Sequence, residues 1–238
     1  MSNKTNDPNS HGHTHGPTTL GQRAHVDVKR AHTHNQGRAH SHSAEAGGGH
    51  DFDLPVMPAA VDVFDTTLRD GSQQEGLSLT VDDKLRVAEQ LDHLGVSFIE
   101  GGWPGANPKD EEFFARAPKE LNLTTATLVA FGSTRRAGVK AETDETLRQL
   151  VNAQTAAVCI VAKSSEMHVV EALRTSLDEA VAMVADSVEF LRRNDLRVFL
   201  DAEHFFDGYK ANPEFTLRIL RAAEEAGAET LVLCDTNG

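Results

Sequence analysis

From residue 60 onward the chain alternates six times between a short apolar, β-branched run and a longer stretch of helical periodicity. The runs fall at residues 61–65, 96–100, 125–131, 157–162, 198–202 and 230–234. Runs this short and this continuously apolar suit strands buried on both faces, which need helices to cover them. The intervening stretches supply those helices. Thr80 stands where an N-cap belongs, and Asp82 and Asp83 fill the first turn. Val81, Leu85, Ala88, Leu91 and Leu94 share one face, and Gly95 ends the helix. Further helices are predicted over 108–121, 144–152, 176–193 and 213–226, the last stopped by Gly227. Repeated β-α units specify a parallel sheet, either open and doubly wound or closed into a (β/α)8 barrel.

Two features choose between these. No G-x-G-x-x-G follows the first run, so a dinucleotide-binding sheet loses its fingerprint. Polar residues instead follow strand after strand: Arg69 and Asp70, Trp103, Ser133 to Arg135, Lys163 and Ser164, Glu203 and His204, Asp235 to Asn237. One rim that collects polar groups from many strands is how a TIM barrel builds an active site. The expected fold is therefore α/β, a (β/α)8 TIM barrel that is incomplete, with six β-α units over residues 56–238. An unclosed barrel has two open edge strands, an aggregation hazard.

Composition separates a tail from this body. Nine of the twelve histidines lie in the first 50 residues, and residues 1–55 carry no net charge. That segment, rich in His, Gly, Ser and Asn, lacks the apolar surface that would offset its ordering entropy, and reads as a disordered leader. Its H-x-H pairs are weak candidates for Zn²⁺ or Ni²⁺. The whole formal charge of −13 belongs to the body, which argues against nucleic-acid binding. No apolar run is long enough to span a membrane. Cys159 and Cys234, each inside an apolar run, suit a reducing compartment, hence a cytoplasmic protein.

The strand-end clusters carry the chemistry. Arg69 beside Asp70 offers a bidentate cation next to a carboxylate ligand for a divalent metal. Glu100 ends the second run, ahead of two glycines and Trp103, the only tryptophan. Ser133, Thr134 and Arg135 can reach an anionic ligand. Lys163 could serve as a Schiff-base lysine, though nothing near it in sequence is apolar enough to depress its pKa. Asp201, Glu203 and His204 gather three titratable groups at one strand end, suited to acid–base work, while Asp207 and Gly208 read as a turn. Thr236 could hold a substrate carboxylate. Trp103, Ser133, Arg135 and His204 stand with Arg69 and Thr236 as candidate substrate contacts.

Taken together, DTTLRDG at 65–71, EGGWPGANPKDEEFF at 100–114, FGSTRR at 131–136, DAEHFFDGYKANP at 201–213 and LCDTNG at 233–238 resemble one family. It is the metal-dependent, Claisen-condensing barrel family of 2-isopropylmalate, homocitrate and citramalate synthases, with the hydroxymethylglutaryl-CoA lyases as relatives. The motifs look most like the (R)-citramalate synthase branch, and the resemblance covers the body from Val61 to Gly238. It implies condensation of acetyl-CoA with pyruvate and hydrolysis of the thioester, within branched-chain amino-acid synthesis. Asp70 would be a ligand to Mg²⁺, Mn²⁺ or Zn²⁺, Arg69 would bind the keto acid, and Thr236 would bind its carboxylate. Glu203, with Asp201 as the alternative, would support proton transfer. The runner-up activity is 2-isopropylmalate synthase, with 2-oxoisovalerate as acceptor. A non-catalytic fragment with a metal-binding tail is the other reading. The family's further H-x-H metal motif on a seventh strand is missing here, so the expectation is a C-terminally truncated chain, inactive or poorly folded alone, and homodimeric in its full-length form.

Overall fold

The computed structural model describes residues 60–238, and the expected tail lies outside those described. Strands β1 (Phe64–Asp65), β2 (Phe98–Gly102), β3 (Thr127–Ser133), β4 (Ala157–Lys163), β5 (Arg197–Glu203) and β6 (Thr230–Leu233) form a single parallel sheet in chain order. Helices α1 (Val81–Leu94), α2 (Pro108–Glu120), α3 (Glu145–Asn152), α4 (Glu166–His168), α5 (Leu177–Arg193), α6 (Phe205–Ala211) and α7 (Pro213–Glu225) lie between them. Each strand pairs with the one before it, as consecutive β-α units require.

The local chemistry explains the boundaries. Thr80 Oγ1 accepts from the Asp83 N–H at 3.1 Å and Asp83 accepts from the Thr80 N–H at 3.0 Å, a complete capping box. Asn107 and Asn212 cap α2 and α7, each followed by a proline whose missing N–H costs nothing there. Three details differ from the sequence reading. The first apolar run contributes only two residues to the sheet, with Val61 and Val63 exposed, because β1 has a strand neighbour on one side only. Strands β2 and β3 run two residues further than their apolar runs, since the pairing continues through Gly102. Asp207 and Gly208, expected as a turn, lie inside α6. There the Ser164 backbone presses against Gly208 where a Cβ would stand.

Alternation along each strand divides the sheet into two faces. Ile99, Ala130, Val158, Ile160, Val198 and Leu200 point outward into the layer of helices and form most of the core with Leu147, Leu191, Phe215 and Ile219. Phe98, Val129, Phe131, Ala157, Cys159 and Phe199 point inward, with Phe64 packed against them. The inner face shows that the sheet curls. β2 and β5 are three strand spacings apart, about 14 Å if the sheet were flat. Their rings nevertheless meet, Phe98 against Phe199 at 5.0 Å and Phe64 against Phe199 at 5.7 Å. The result is an incomplete barrel with an apolar floor and the strand C-termini at its rim. Below the floor, Arg197 lies over Phe98 and pairs with Glu229 at 2.6 Å and 2.8 Å.

One polar staple ties α1 to β3. The buried Asp92 carboxylate accepts from the N–H groups of Thr124, Thr125 and Ala126 and from the Thr124 hydroxyl, all at 2.7–3.1 Å. Those donors pull its pKa from 3.8 to about 2 against the effect of burial. Replacing Asp92 with Ala leaves several buried donors unpaired, and urea unfolding should report a loss of about 2–3 kcal/mol. The folded pKa is depressed, so the carboxylate's contribution is present above pH 3.8 and fades as the pH falls toward about 2. In Asp92→Ala the acid limb of the stability profile should be correspondingly shallower.

Candidate active site

Above the aromatic floor the inward positions turn polar. Arg69, on the loop after β1, sends Nε to Glu100 Oε2 on β2 at 2.5 Å and a terminal nitrogen to Asp70 Oδ1 at 3.2 Å. Its guanidinium lies 3.9 Å from the centre of the Phe131 ring on β3. Three elements therefore fix one cation in position, by ion pairing and by the ring face. Trp103 supports the arrangement from behind, its indole edge-on to Phe131 at 5.4 Å. The Trp103 backbone N–H donates to Asp110 Oδ2, and Asp110 also takes Lys84 at 2.5 Å. That pair explains the glycine before Trp103. Gly102 has φ 147, and a Cβ there would lie 2.8 Å from both the Asp110 carboxylate and Lys84 Nζ.

Glu100 is wholly buried, and its second oxygen, Oε1, has no hydrogen-bond partner among the described residues. Burial outweighs the Arg69 charge and raises its pKa from 4.5 to about 7. Across the curl, Cys159 Sγ on β4 donates to Asp201 Oδ1 on β5 at 3.2 Å. Burial pushes Asp201 up, and it pushes the Cys159 thiol well up, so that thiol stays protonated at neutral pH. Ligand-type atoms of Glu100, Cys159 and Asp201 lie within 4.8 Å of one another, a possible set of metal donors. A cavity of about 410 Å³ runs along the rings of Phe64, Phe98 and Phe199, with Arg69, Asp70 and Asp201 toward the strand C-termini and Glu229 toward the other end. The Asp70 side chain, 64 % exposed, stands at its mouth as a hard oxygen donor of the kind a divalent cation takes.

A second group sits on the rim at the ends of β4, β5 and β6. Lys163 and Glu203 are register partners and form an ion pair, which gives the lysine a carboxylate neighbour rather than an apolar pocket. The Schiff-base option therefore lacks the desolvation it needs. His204 takes the left-handed conformation, φ 58, at a cost of about 1–3 kcal/mol for a residue with a Cβ. Its N–H donates to Thr236 Oγ1 at 2.9 Å, which leaves the Thr236 hydroxyl hydrogen for another acceptor. The His204 ring stacks flat on His168, 3.9 Å between centres and 8° between planes.

The structure thus brings Arg69, Asp70 and Asp201 to one cavity, with Glu203, His204 and Thr236 on the adjoining rim. Trp103 reaches Arg69 through Phe131, and Ser133 donates to the Thr134 carbonyl. Arg135 is a correction to the sequence reading. Its guanidinium is buried against α5, paired with Glu179 and Asp186 at 2.7 Å each, so its charge holds the loop to the helical layer and does not face the cavity. Glu100 and Cys159 were not among the expected site residues. The available signal was an acid and a thiol at inward positions of otherwise apolar strands, Phe98-Ile99-Glu100 and Ala157-Val158-Cys159.

Residues 60–238 match the HMGL-like family. The chain is 60% identical over 176 residues to the (R)-citramalate synthase of Streptomyces coelicolor, covering 74% of this chain and 33% of that protein. It is 52% identical over 182 residues to the (R)-citramalate synthase of Aquifex aeolicus, covering 76% and 34%. The chain therefore spans about a third of the length of these curated relatives. In structure it is similar to hydroxymethylglutaryl-CoA lyase from Pseudomonas aeruginosa, with a TM-score of 0.60 at 21% identity over 76% of this chain and 59% of that one. That likeness concerns the fold.

Glu100 gives this site a pH signature. Its folded pKa is raised, so the folded chain holds a proton between pH 4.5 and about 7 that the unfolded chain has released. Stability attributable to Glu100 is full below pH 4.5 and declines as the pH rises through about 7. Urea midpoints at pH 5 and pH 8 should show that decline in the parent chain, and Glu100→Gln should flatten it.

Proposed function

Because the chain belongs to the HMGL-like family, we propose that it works as an (R)-citramalate synthase. It would condense acetyl-CoA with pyruvate, hydrolyse the thioester, and supply a branched 2-hydroxy diacid for isoleucine synthesis. The observation that carries this reading is the cation Arg69, held by Glu100 and Phe131 beside the exposed carboxylate of Asp70 at the mouth of the cavity. The 60% identity to the Streptomyces coelicolor enzyme supports the same choice.

The residues divide the work. A fixed guanidinium offsets negative charge that builds on the pyruvate keto oxygen as the new carbon–carbon bond forms, and it needs no reorganisation because its partners already hold it. Asp70 would hold a divalent cation, Mg²⁺, Mn²⁺ or Zn²⁺, which when bound polarises the keto group as a Lewis acid. The Thr236 hydroxyl, already accepting from His204, donates to the substrate carboxylate. Glu203 takes a proton from the acetyl methyl group, with Asp201 as the alternative base. Burial raises the Asp201 pKa, so Asp201 keeps its proton more readily and stands second as the base. The rings of Phe64, Phe98 and Phe199 give the cavity an apolar wall next to these groups. We place this chemistry in the cytoplasm and in a homodimer of the full-length protein. Both cysteines are free thiols, and no described helix is long and apolar enough to cross a membrane.

The test follows thiol release from acetyl-CoA by the full-length protein with pyruvate or 2-oxoisovalerate as acceptor, with and without added Mg²⁺ or Mn²⁺. Metal-dependent release that prefers pyruvate is expected; preference for 2-oxoisovalerate would transfer the reading to 2-isopropylmalate synthase. Arg69→Ala should lower turnover by about 10²–10³-fold, the usual cost of removing one stabiliser of a developing oxyanion. Trp103, the only tryptophan, reports binding separately from turnover. Pyruvate should change its fluorescence in the parent chain and not in Arg69→Ala.

A further inference from the structure

The His168–His204 stack is not explained by the chemistry above. Its two rings come from different β-α units, and unusual backbone delivers both. His168 ends the single turn α4 and opens directly into the π-helical turn Val169–Leu173, which closes at Arg174 with φ 53. His204 follows β5 with φ 58. Each ring buries its Nδ1 with no hydrogen-bond partner among the described residues. Two departures from regular backbone and two unpartnered nitrogens meet at one contact, and π-turns and left-handed non-glycine residues concentrate at functional sites. The contact is well placed to matter. His204 directly follows Glu203, and its backbone N–H donates to Thr236 Oγ1, so the backbone that carries this ring adjoins the end of β5 and holds the residue just past β6.

We propose that His168 and His204 form a positioning pair which, by stacking as neutral rings, fixes Glu203 and Thr236 at the rim. The inference rests on the roles given to those two residues in the proposed synthase reaction. Neutral imidazoles stack face to face, whereas two imidazolium rings at 3.9 Å repel. The charged groups around the pair are Lys163 on β4, Glu203 on β5 and Asp207 on α6; Glu166, on α4 beside His168, is engaged by Asn212 at 2.6 Å. Burial leads in pushing the His168 pKa below 6.5, and the His204 ring and Lys163 add to it while Glu203 and Asp207 oppose it. The His168 ring is therefore neutral at neutral pH, and charging it by acidification below 6.5 works against the stack. Neither ring is assigned contact with the reacting atoms.

Two variants separate the ring contact from the fold. His168→Phe keeps an aromatic face for His204 and cannot take a proton. His204→Asn tolerates the left-handed backbone and removes the ring. Turnover of pyruvate and acetyl-CoA should fall at least tenfold in kcat in His204→Asn. It should stay within threefold of the parent in His168→Phe, with the acid limb of the pH–rate profile moved to lower pH. Ring titration by NMR on the whole chain gives a readout that does not need turnover. The His168 midpoint should lie below 6.5 and rise in His204→Asn, and the Thr236 amide should follow that midpoint in the parent but not in His168→Phe. A His204→Asn chain within twofold of the parent in kcat, or a Thr236 amide indifferent to the His168 midpoint, would overturn the proposal. If the full-length parent turns over neither acceptor, the synthase reading fails on that ground, and the Thr236 and His168 titrations alone decide whether the pair positions the rim.

Discussion

Three phenylalanines meeting inside the sheet set the geometry of everything above them. Phe199 belongs to a strand that a flat sheet would keep far from the paired strands of Phe64 and Phe98, and burying the three rings against one another goes with a curved sheet. The burial is worth about 1.5–3 kcal/mol per ring. The curl brings Glu100, Cys159 and Asp201, from three different strands, within a few ångströms. Without it Arg69 would face one carboxylate at an edge; with it Arg69 faces a buried acidic enclosure.

The same floor explains why the acids above it are perturbed in the same direction. Glu100 and Asp201 both lose solvent, and burial is the first cause raising each of them. Arg69 lies against Glu100 and offsets part of that effect without reversing it. An ion pair in such surroundings is poor evidence of stability, because desolvating its members cancels much of the attraction. Its value here is positional, since a cation held by a carboxylate on one side and a ring face on the other has little freedom left. The Arg135 cluster with Glu179 and Asp186 uses the same kind of pairing, where it fastens a loop to α5 away from the cavity beside Arg69.

How far the sequence could be read follows from the range of the interactions involved. Caps and helix stops are local, and Thr80, Asn107, Ser176 and Gly95 stand where their side chains or their missing side chain demand. Strand limits depend on neighbours, so the first run shrank at the sheet edge and β2 lengthened through its glycines. Gly208 looked like a turn residue, although its absent Cβ makes room for the Ser164 backbone, a contact between residues 44 positions apart. Arg135 looked like an anion contact for the same reason, because nothing near it in sequence announces Asp186.

The sequence by itself determined the succession of β-α units, the parallel sheet, and the polar residues that follow each strand, since these rest on periodicity, capping and turn chemistry within a few residues. It also marked Arg69 and Asp70 through their motif. The tertiary structure alone decided which of the polar residues share a cavity, that Glu100 completes the enclosure around Arg69, and that His168 and His204 stack. Those outcomes depend on how tightly the sheet curls, and that is set by apolar rings packing across strands far apart in sequence. Burial, once imposed by that packing, then changes the acidity of groups whose local sequence looks ordinary.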